Sequence, residues 1–189
     1  DFFVRFDLTS GYHHVDIHTE HHKYLGFHWF RQGAEHFYQF TVVPFGLSPA
    51  GYVFTKVMRP LTKKWRGQGM KTVIFLDDGI ASQGNEHMTK KAAQIIQRDL
   101  IEAGFTINYK KSDFVPTKRG EWLGMIVDTE NLTFEVPKQK IDELQTAIRD
   151  VLKMEFVTPK ILAAITGKLA SMQKAVVRFS SFLHSIPIR

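Results

Sequence analysis

The chain has no cysteine among its 189 residues, which excludes disulfide bonds and thiolate metal sites. It also lacks an apolar run of about eighteen residues and a basic-then-apolar leader, so neither a membrane span nor secretion is predicted. Acidic residues are outnumbered by basic ones, 19 against 25, which gives a formal charge of +6 and a pI of about 9.5. We therefore expect an intracellular protein, in the cytoplasm or the nucleus, with a polyanionic partner.

The size of the chain limits how many domains it can form. Its length and its hydrophobic content of 43% allow one substantial core, or one core with a small additional lobe. The chain starts at Asp1 directly on an apolar stretch and stops at Arg189 without a polar tail. We therefore expect it to be a segment of a longer protein.

Short apolar runs rich in strand-forming residues predict a sheet. Two of them flank a turn at 31–34 and predict a hairpin. The predicted strands are 2–8, 25–30, 37–43, 70–78, 79–82, 105–114, 122–127 and 132–136. Strands interspersed with helices in this order predict an α+β fold, in which helices cover an antiparallel sheet.

Helices are predicted where apolar residues recur at helical spacing after a capping residue. The predicted caps are Ser48, Asn85 and Thr158. Beyond residue 136 the chain becomes helical, with two amphipathic stripes. We predict a first domain over 1–136, with the hairpin 25–43 as a side element, and a small helical region over 137–189.

Two adjacent aspartates, Asp77 and Asp78, interrupt the apolar run from Val73 to Ile80. Neighbouring carboxylates repel each other and resist desolvation, so a chain that keeps them there is expected to neutralise them with a cation. Asp7 ends a second apolar run. Three carboxylates on two strands indicate a site for two magnesium ions. An ordinary Asp-Gly turn is the alternative for the pair considered alone.

The order of motifs along the chain resembles the palm of a reverse transcriptase. The motifs are Asp7 before a glycine turn, Pro44-Phe45-Gly46-Leu47-Ser48-Pro49-Ala50, Phe75-Leu76-Asp77-Asp78, Ala103-Gly104-Phe105 with Lys110-Lys111, and Trp122-Leu123-Gly124. Leu-Ser-Pro-Ala and Phe-Leu-Asp-Asp are most similar to retrotransposons that encode a tyrosine recombinase (DIRS-type), with Gypsy-type elements next. The resemblance implies a polymerase palm followed by a thumb-like helical region. It also implies RNA-directed DNA polymerase activity, a nucleotidyl transfer on a primed RNA or DNA template.

The resemblance assigns roles to the acidic residues. Asp7 and Asp77 are expected to bridge two Mg²⁺ ions, for which Mn²⁺ can substitute. The backbone carbonyl of Leu8 is expected to help hold the nucleotide-bound ion, and Asp78 to complete the negative field. Two such ions lower the pKa of a primer 3′-hydroxyl and stabilise charge on the leaving pyrophosphate.

A second group of residues is implied to bind the incoming dNTP. Tyr12 resembles a steric gate that excludes a ribose 2′-hydroxyl by bulk, although a core tyrosine is the alternative. Ser10 and Gly11 are expected to offer backbone N–H groups to the triphosphate. Phe45 with Gly46 is expected to form an apolar platform for the nucleotide, or else a staple at the helix entry.

Lys111, or its neighbour Lys110, resembles the lysine that protonates the leaving pyrophosphate; a solvated basic turn is the alternative. Trp122, Leu123 and Gly124 resemble the primer grip, a hairpin that positions the primer terminus, with core packing as the alternative for the tryptophan. The later helices resemble the start of a thumb that follows the duplex. Its candidate phosphate contacts are Lys138, Lys140, Lys160, Lys168 and Lys174.

Other hypotheses remain open at this point. A catalytically inactive or domesticated palm that binds nucleic acid would share the fold. A zinc hydrolase could use the histidines between 13 and 22, with His18 and His22 at i, i+4 spacing, although no H-E-x-x-H pattern is present. By the resemblance, fingers precede this segment and an RNase H follows it in the parent protein. Because the fingers supply triphosphate-binding cations, we expect the isolated segment to be weak or inactive.

Overall fold

The computed structural model describes residues 1–175 of the chain. The last part of the predicted helical region, 176–189, lies outside the described residues. The chain forms two compact units, Asp1–Thr117 and a second that begins at Lys118. This boundary comes before the predicted one at residue 136, because the strands just before that point form a separate sheet in the second unit. The assignment of the units to palm and thumb stays a prediction.

Residues 1–175 contain nine strands and four α-helices. The strands are β1 (Phe2–Asp7), β2 (Gly26–Arg31), β3 (Ala34–Gln39), β4 (Lys71–Phe75), β5 (Asp78–Gln83), β6 (Asp113–Thr117), β7 (Arg119–Trp122), β8 (Met125–Asp128) and β9 (Thr133–Glu135). The α-helices are α1 (Ala50–Gly67), α2 (Glu86–Glu102), α3 (Lys138–Val151) and α4 (Pro159–Met172). Short 3₁₀ helices cover Gly11–His14, Thr19–Tyr24 and Gln173–Ala175. No helix in this part of the chain is long and apolar enough to cross a membrane.

The first unit is built on a four-stranded antiparallel sheet in the order β4-β5-β1-β6. Helix α1 packs on β4, and α2 packs on β1, β5 and β6. The core side chains Phe6, Trp65 and Ile96 are at most 2% exposed, and burying each large apolar side chain contributes about 1.5–3 kcal/mol. The predicted α+β class is confirmed.

One buried carboxylate links the two helices of this unit. Asp99 of α2 accepts a hydrogen bond from Trp65 Nε1 at 2.9 Å. Lys64 Nζ also lies 2.9 Å from the carboxylate, and so does Arg98 Nη2. A carboxylate this buried is tolerated because cationic and neutral donors surround it.

Strands β2 and β3 form a separate two-stranded sheet, as the predicted hairpin requires. Its turn is Gln32-Gly33, and both residues have positive φ, 54° and 79°. This is the backbone of a two-residue hairpin loop, in which glycine at the second position is favoured. The hairpin prediction is confirmed.

The second unit contains a three-stranded antiparallel sheet, β7-β8-β9, and the helices α3 and α4. The predicted single strand over 122–127 is wrong. Leu123 and Gly124 have φ of 48° and 72°, which reverses the chain between β7 and β8.

The predicted strand over 105–114 is also wrong, because a turn closed by Ser112 N donating to Asn108 O at 2.9 Å occupies its second half.

Two of the three predicted helix caps are confirmed. Asn85 Oδ1 accepts from Met88 N at 2.9 Å, and Thr158 Oγ1 accepts from Ile161 N at 3.4 Å. The Ser48 cap is wrong: α1 begins at Ala50 without a side-chain cap. The reason is a tight turn before the helix, in which Ala50 N donates to Leu47 O at 2.9 Å.

Candidate active site

The three predicted acidic residues meet at one end of the four-stranded sheet. In the antiparallel register of β1 and β5, Asp7 lies directly opposite Asp78. Phe75 is paired with Asp78, so Leu76 and Asp77 form the turn between β4 and β5. Leu8 N donates to Asp77 O at 3.0 Å and fixes that turn against β1. The pairing therefore brings together three carboxylates that are far apart in sequence.

The turn itself has a strained backbone. Leu76 has a φ of 55°, a left-handed conformation that costs a branched, non-glycine residue about 1–3 kcal/mol and persists only when neighbouring structure enforces it. The enforcing contacts are the flanking β4–β5 pairing and the hydrogen bond from Leu8 N. Strain at a turn that presents a carboxylate is typical of functional sites.

Gly79 is required by a close approach rather than by the turn. A Cβ at this position would overlap the ring of Phe6. The Asp-Gly turn considered from the sequence is therefore wrong, because the turn lies one residue earlier and Gly79 is a strand residue. The ring of Phe6 supports the strand directly below the carboxylates.

Sequence reasoning missed the residues that hold Asp7. Its backbone N donates to Ser112 Oγ at 3.0 Å, and its carbonyl accepts from Asn108 N at 2.9 Å. The Ser112 hydroxyl in turn donates to Asn108 O at 2.8 Å. The only sequence signal was that Ser112 directly follows Lys110-Lys111.

The carboxylates at this end of the sheet influence each other strongly. Burial raises the pKa of Asp78 above its usual value, and the charges of Asp7 and Asp77 and a side-chain hydrogen bond with Asp7 raise it further. The positive charge of Lys111 acts in the opposite direction. Lys111 is therefore within electrostatic reach of the carboxylates, and its side chain is exposed.

The fit of these residues to a divalent cation depends on their arrangement and on their chemistry. Within residues 1–175, no group of three or more histidine, cysteine or acidic side chains is arranged tightly enough to hold a metal ion. Asp7 and Asp78 are paired across β1 and β5, and Asp77 lies in the adjoining turn. All the donors are hard oxygens, and Mg²⁺ needs only one or two protein carboxylates besides phosphate oxygens and water. The donor set therefore fits magnesium.

The glycine turn after β1 lies against the acidic cluster. A Cβ on Gly11 would be 2.9 Å from Phe54 Cζ and 3.3 Å from Asp77 Cβ. Ser10 before it has a φ of 52°, so the chain turns sharply here and brings Gly11 against Asp77. The predicted triphosphate contacts Ser10 and Gly11 are thus next to a predicted metal ligand.

Tyr12 lies between two other rings. Its centroid is 5.3 Å from Phe45 and 5.5 Å from Phe54. Phe45 is 66% exposed and also contacts His13 at 5.3 Å. The ring of Phe45 is therefore an exposed surface beside Tyr12. Gly46, with a φ of 85°, provides the left-handed residue that the loop needs.

The predicted primer-grip residues form the tip of the β7–β8 hairpin in the second unit. Leu123 is 44% exposed, and Trp122 Nε1 is buried without a hydrogen-bond partner among the described residues. Lys140 Nζ of α3 donates to Gly124 O at 2.7 Å. Lys140, one of the candidate phosphate contacts, thus also holds the turn of this hairpin.

The histidines between 13 and 22 have other partners. His14 Nε2 accepts from Thr106 N at 3.1 Å, and His22 Nε2 lies 2.7 Å from Ile17 O. His18 directly precedes a 3₁₀ helix that contains His22, so the two are not at α-helical i, i+4 spacing. No observation supports the zinc hypothesis.

The fold and the site define an α+β protein with an acidic cluster at the edge of an antiparallel sheet. The sequence pattern of the family described as "Reverse transcriptase (RNA-dependent DNA polymerase)" matches residues 1–127. The chain therefore belongs to the reverse transcriptase family. No curated protein sequence matches it.

Solved structures of the foamy viral protease-reverse transcriptase share the fold. The dRH form in complex with ds DNA has a TM-score of 0.75 and 21% identity, covering 97% of this chain and 29% of that chain. The complex with an RNA/DNA hybrid has a TM-score of 0.72 and 19% identity, covering 99% and 24%. The complex with dsDNA has a TM-score of 0.69 and 20% identity, covering 98% and 37%. This chain thus spans well under half the length of those proteins.

Proposed function

We propose that this chain is the catalytic part of a reverse transcriptase that transfers deoxynucleotides to a primer 3′-hydroxyl on an RNA or DNA template. The observation that carries the proposal is the pairing of Asp7 with Asp78, with Asp77 in the adjoining turn. Membership of the reverse transcriptase family supports the same reaction.

Asp7, Asp77 and Asp78, with the backbone carbonyl of Leu8, would hold two Mg²⁺ ions, or Mn²⁺ in their place. The ions would lower the pKa of the 3′-hydroxyl and stabilise charge on the pyrophosphate. A bound cation would offset the repulsion among these carboxylates, which raises the pKa of Asp78. The positive charge of Lys111 acts in the same direction as the cation.

The chain's own residues would orient the nucleotide and supply a proton. Lys111 is exposed near the carboxylates and can donate a proton to the leaving pyrophosphate; the influence of its charge on Asp78 favours it over Lys110. The backbone N–H groups of Ser10 and Gly11 would bind the triphosphate. Tyr12, supported by Phe54, would exclude a 2′-hydroxyl by bulk.

The β7–β8 turn would position the primer terminus. Its exposed Leu123 would offer an apolar contact to a sugar ring, and Lys140 holds the turn through the carbonyl of Gly124. Trp122 would support the turn from behind.

The parent protein would be the polyprotein of a retroelement inside the cell, of the DIRS-type by its motifs or else of the Gypsy-type. Fingers upstream and an RNase H downstream would complete it. The charge of +6 suits a primed template as the partner.

A nucleic-acid-binding palm without catalysis is the second candidate. The observation that favours it is that residues 1–175 present no ready-made cluster of three metal-binding side chains. The retention of all three aspartates at one sheet end favours catalysis instead.

Primer extension by the full-length parent protein separates the two candidates. The assay uses primed RNA and DNA templates with Mg²⁺ or Mn²⁺, and Asp77→Asn as the comparison. Extension by the wild type and none by the variant is expected. Template binding without extension by either protein would support the binding palm, and equal extension by both would discard this active site.

A further inference from the structure

A small pocket lies between helix α1 and strand β4, the edge strand of the four-stranded sheet. Its volume is about 190 Å³, the space of about six water molecules in the liquid. The described residues that line it are Thr55, Met58, Arg59, Thr62, Arg66, Ile74 and Leu76. The proposed reaction uses none of these side chains.

The polar residues of the wall lie on one face of α1. Thr55, Arg59, Thr62 and Arg66 are separated by four, three and four residues, and residues three or four apart are neighbours on a helix surface. Apolar side chains from the helix, from β4 and from the β4–β5 turn complete the wall. The pocket therefore combines two guanidinium groups with an apolar lining.

The guanidinium of Arg66 is fixed against the strand. Its Nε and Nη2 atoms donate to Thr72 O at 3.1 and 2.7 Å. These two bonds use two of the five N–H donors of an arginine. Arg66 is thus held in one orientation and still has donors for a ligand.

Arg59 has no hydrogen bond or ion pair within the described residues, and its side chain is exposed. No carboxylate of the described wall offsets its charge or that of Arg66. Helix α1 itself contains lysines and arginines but no acidic residue. The nearest carboxylate in the sequence, that of Asp77, follows the wall residue Leu76 and is not part of the wall. The pocket is therefore electropositive and suited to an anion.

From these observations we propose that the pocket binds a terminal phosphate group, at a site separate from that of the incoming nucleotide. A guanidinium binds two phosphate oxygens at once with its planar fork. A terminal phosphate has about two negative charges at neutral pH, which match the two arginines better than the single charge of a carboxylate does. The phosphate belongs to a free pyrophosphate or nucleotide, or to the 5′ end of a nucleic-acid strand.

The test measures pyrophosphate binding to the full-length parent protein by isothermal titration calorimetry. EDTA is present, so that no divalent ion links pyrophosphate to the three aspartates. We expect Arg59→Gln to weaken the affinity about tenfold and to leave urea unfolding unchanged, because Arg59 makes no contact of its own. Arg59→Lys, which keeps the charge but not the fork, should restore part of the affinity.

Lys63→Gln is the matched control. Lys63 is exposed on the same helix and lies outside the pocket wall, so its removal should leave the affinity close to that of the wild type. An equal loss in Lys63→Gln and Arg59→Gln would show only a general effect of the charge of α1 and would overturn the proposal.

Two further results would also overturn it. One is a wild type that binds no pyrophosphate, or an Arg59→Gln variant with unchanged affinity. The other is a loss in Lys111→Gln without a loss in Arg59→Gln, which would assign the bound pyrophosphate to the proposed active site.

A second measurement distinguishes the two sources of the phosphate. Oligodeoxynucleotides with a 5′-phosphate or a 5′-hydroxyl, labelled at the 3′ end, are compared by fluorescence anisotropy in the same buffer. A preference for the 5′-phosphate that Arg59→Gln abolishes supports the pocket as a site for a strand end. Equal binding of both oligonucleotides, together with the expected calorimetry, supports it as a site for a free ligand.

Discussion

The hairpins β4–β5 and β2–β3 have the same antiparallel pairing and a two-residue turn, but opposite surroundings. The first lies inside a four-stranded sheet, and its turn contains Leu76 at a φ of 55°. The second forms a sheet by itself and turns at Gln32-Gly33, where the second positive φ belongs to a glycine. Both turns thus have a non-glycine residue at positive φ, Leu76 and Gln32, but only the β4–β5 turn has a core behind it.

This difference matches what each hairpin presents. The core behind β4 and β5, with Trp65 and Ile96 fully buried, can hold charged Asp77 and Asp78 close to Asp7 despite their repulsion. The exposed hairpin has no such support, since an isolated two-stranded hairpin is only marginally stable. A site that needs fixed geometry is thus located on the supported hairpin, and an adaptable surface on the exposed one.

The substitution Asp77→Asn changes only the supported hairpin, β4–β5, and should produce the largest effect on primer extension. Charge stabilisation of several kcal/mol corresponds to a loss of about a thousandfold in primer-extension rate. Circular dichroism and urea unfolding should be unchanged. Asp142→Asn, an exposed acidic residue of α3, is the matched control, and a similar loss of rate there would contradict the assignment.

Lys111→Gln tests the cation beside the supported hairpin. If Lys111 donates a proton to the pyrophosphate, its removal should lower the extension rate about a hundredfold and leave primer–template affinity unchanged. Lys110→Gln, the adjacent exposed lysine, should keep nearly full rate. Equal losses in the two variants would indicate only a general contribution of positive charge.

Gly79→Ala should damage the supported hairpin, because the new Cβ would overlap the ring of Phe6. Overpacking of a core typically costs about 1–3 kcal/mol, measurable as a fall in the free energy of unfolding in urea. Gly84→Ala, where a Cβ meets nothing within 4 Å, is the matched control and should be nearly neutral. Equal stability of the two variants would show that Phe6 moves aside freely.

The effect of Asp99 on the pH dependence of stability tests the core behind the same hairpin. Burial alone would raise the pKa of Asp99, but hydrogen bonds from Lys64, Arg98 and Trp65 outweigh burial and hold the pKa below its usual value. The contribution of the Asp99 charge to the free energy of unfolding is therefore complete above the unfolded-state pKa of about 3.9. It is lost as pH falls through the lower folded-state pKa. Asp99→Asn should cost about 1.5–3 kcal/mol near neutral pH.

The urea unfolding free energies of wild type and Asp99→Asn should therefore converge as pH falls below about 4. The wild type should lose stability in that range faster than the variant does. A difference that stays constant across this range would show that the charge of Asp99 contributes nothing.

Sequence patterns predicted most elements of both hairpins and missed what holds the site. Alternating apolar runs and the aspartates located β1 and β4–β5 because burial and charge are visible in composition. The contact of Ser112 with Asp7 was not predictable, because it joins residues 105 apart in the sequence. In addition, the turn that contains Ser112 has the composition of a strand. Likewise, Gly79 looked like a turn residue, because the ring of Phe6 that requires it belongs to another strand.

The β7–β8 hairpin sharpens the comparison because it too has a leucine at positive φ, Leu123 at 48°, but a side chain supports its turn. Lys140 Nζ donates to Gly124 O at 2.7 Å. Lys140→Met removes that donor and should cost about 1 kcal/mol. If the turn positions a primer, the variant should extend mispaired primer ends and matched ends with a ratio different from wild type.

Lys153→Met, at an exposed lysine just after the same helix, is the control and should change neither stability nor that ratio. Lys140→Arg, which keeps a cationic donor, should restore part of both. If Lys140→Met loses stability but keeps the wild-type ratio of mispaired to matched extension, the lysine has only a structural role. In that case the β7–β8 turn, held by one hydrogen bond, would differ from the β4–β5 turn, held by a core, because only the β4–β5 turn would take part in the reaction.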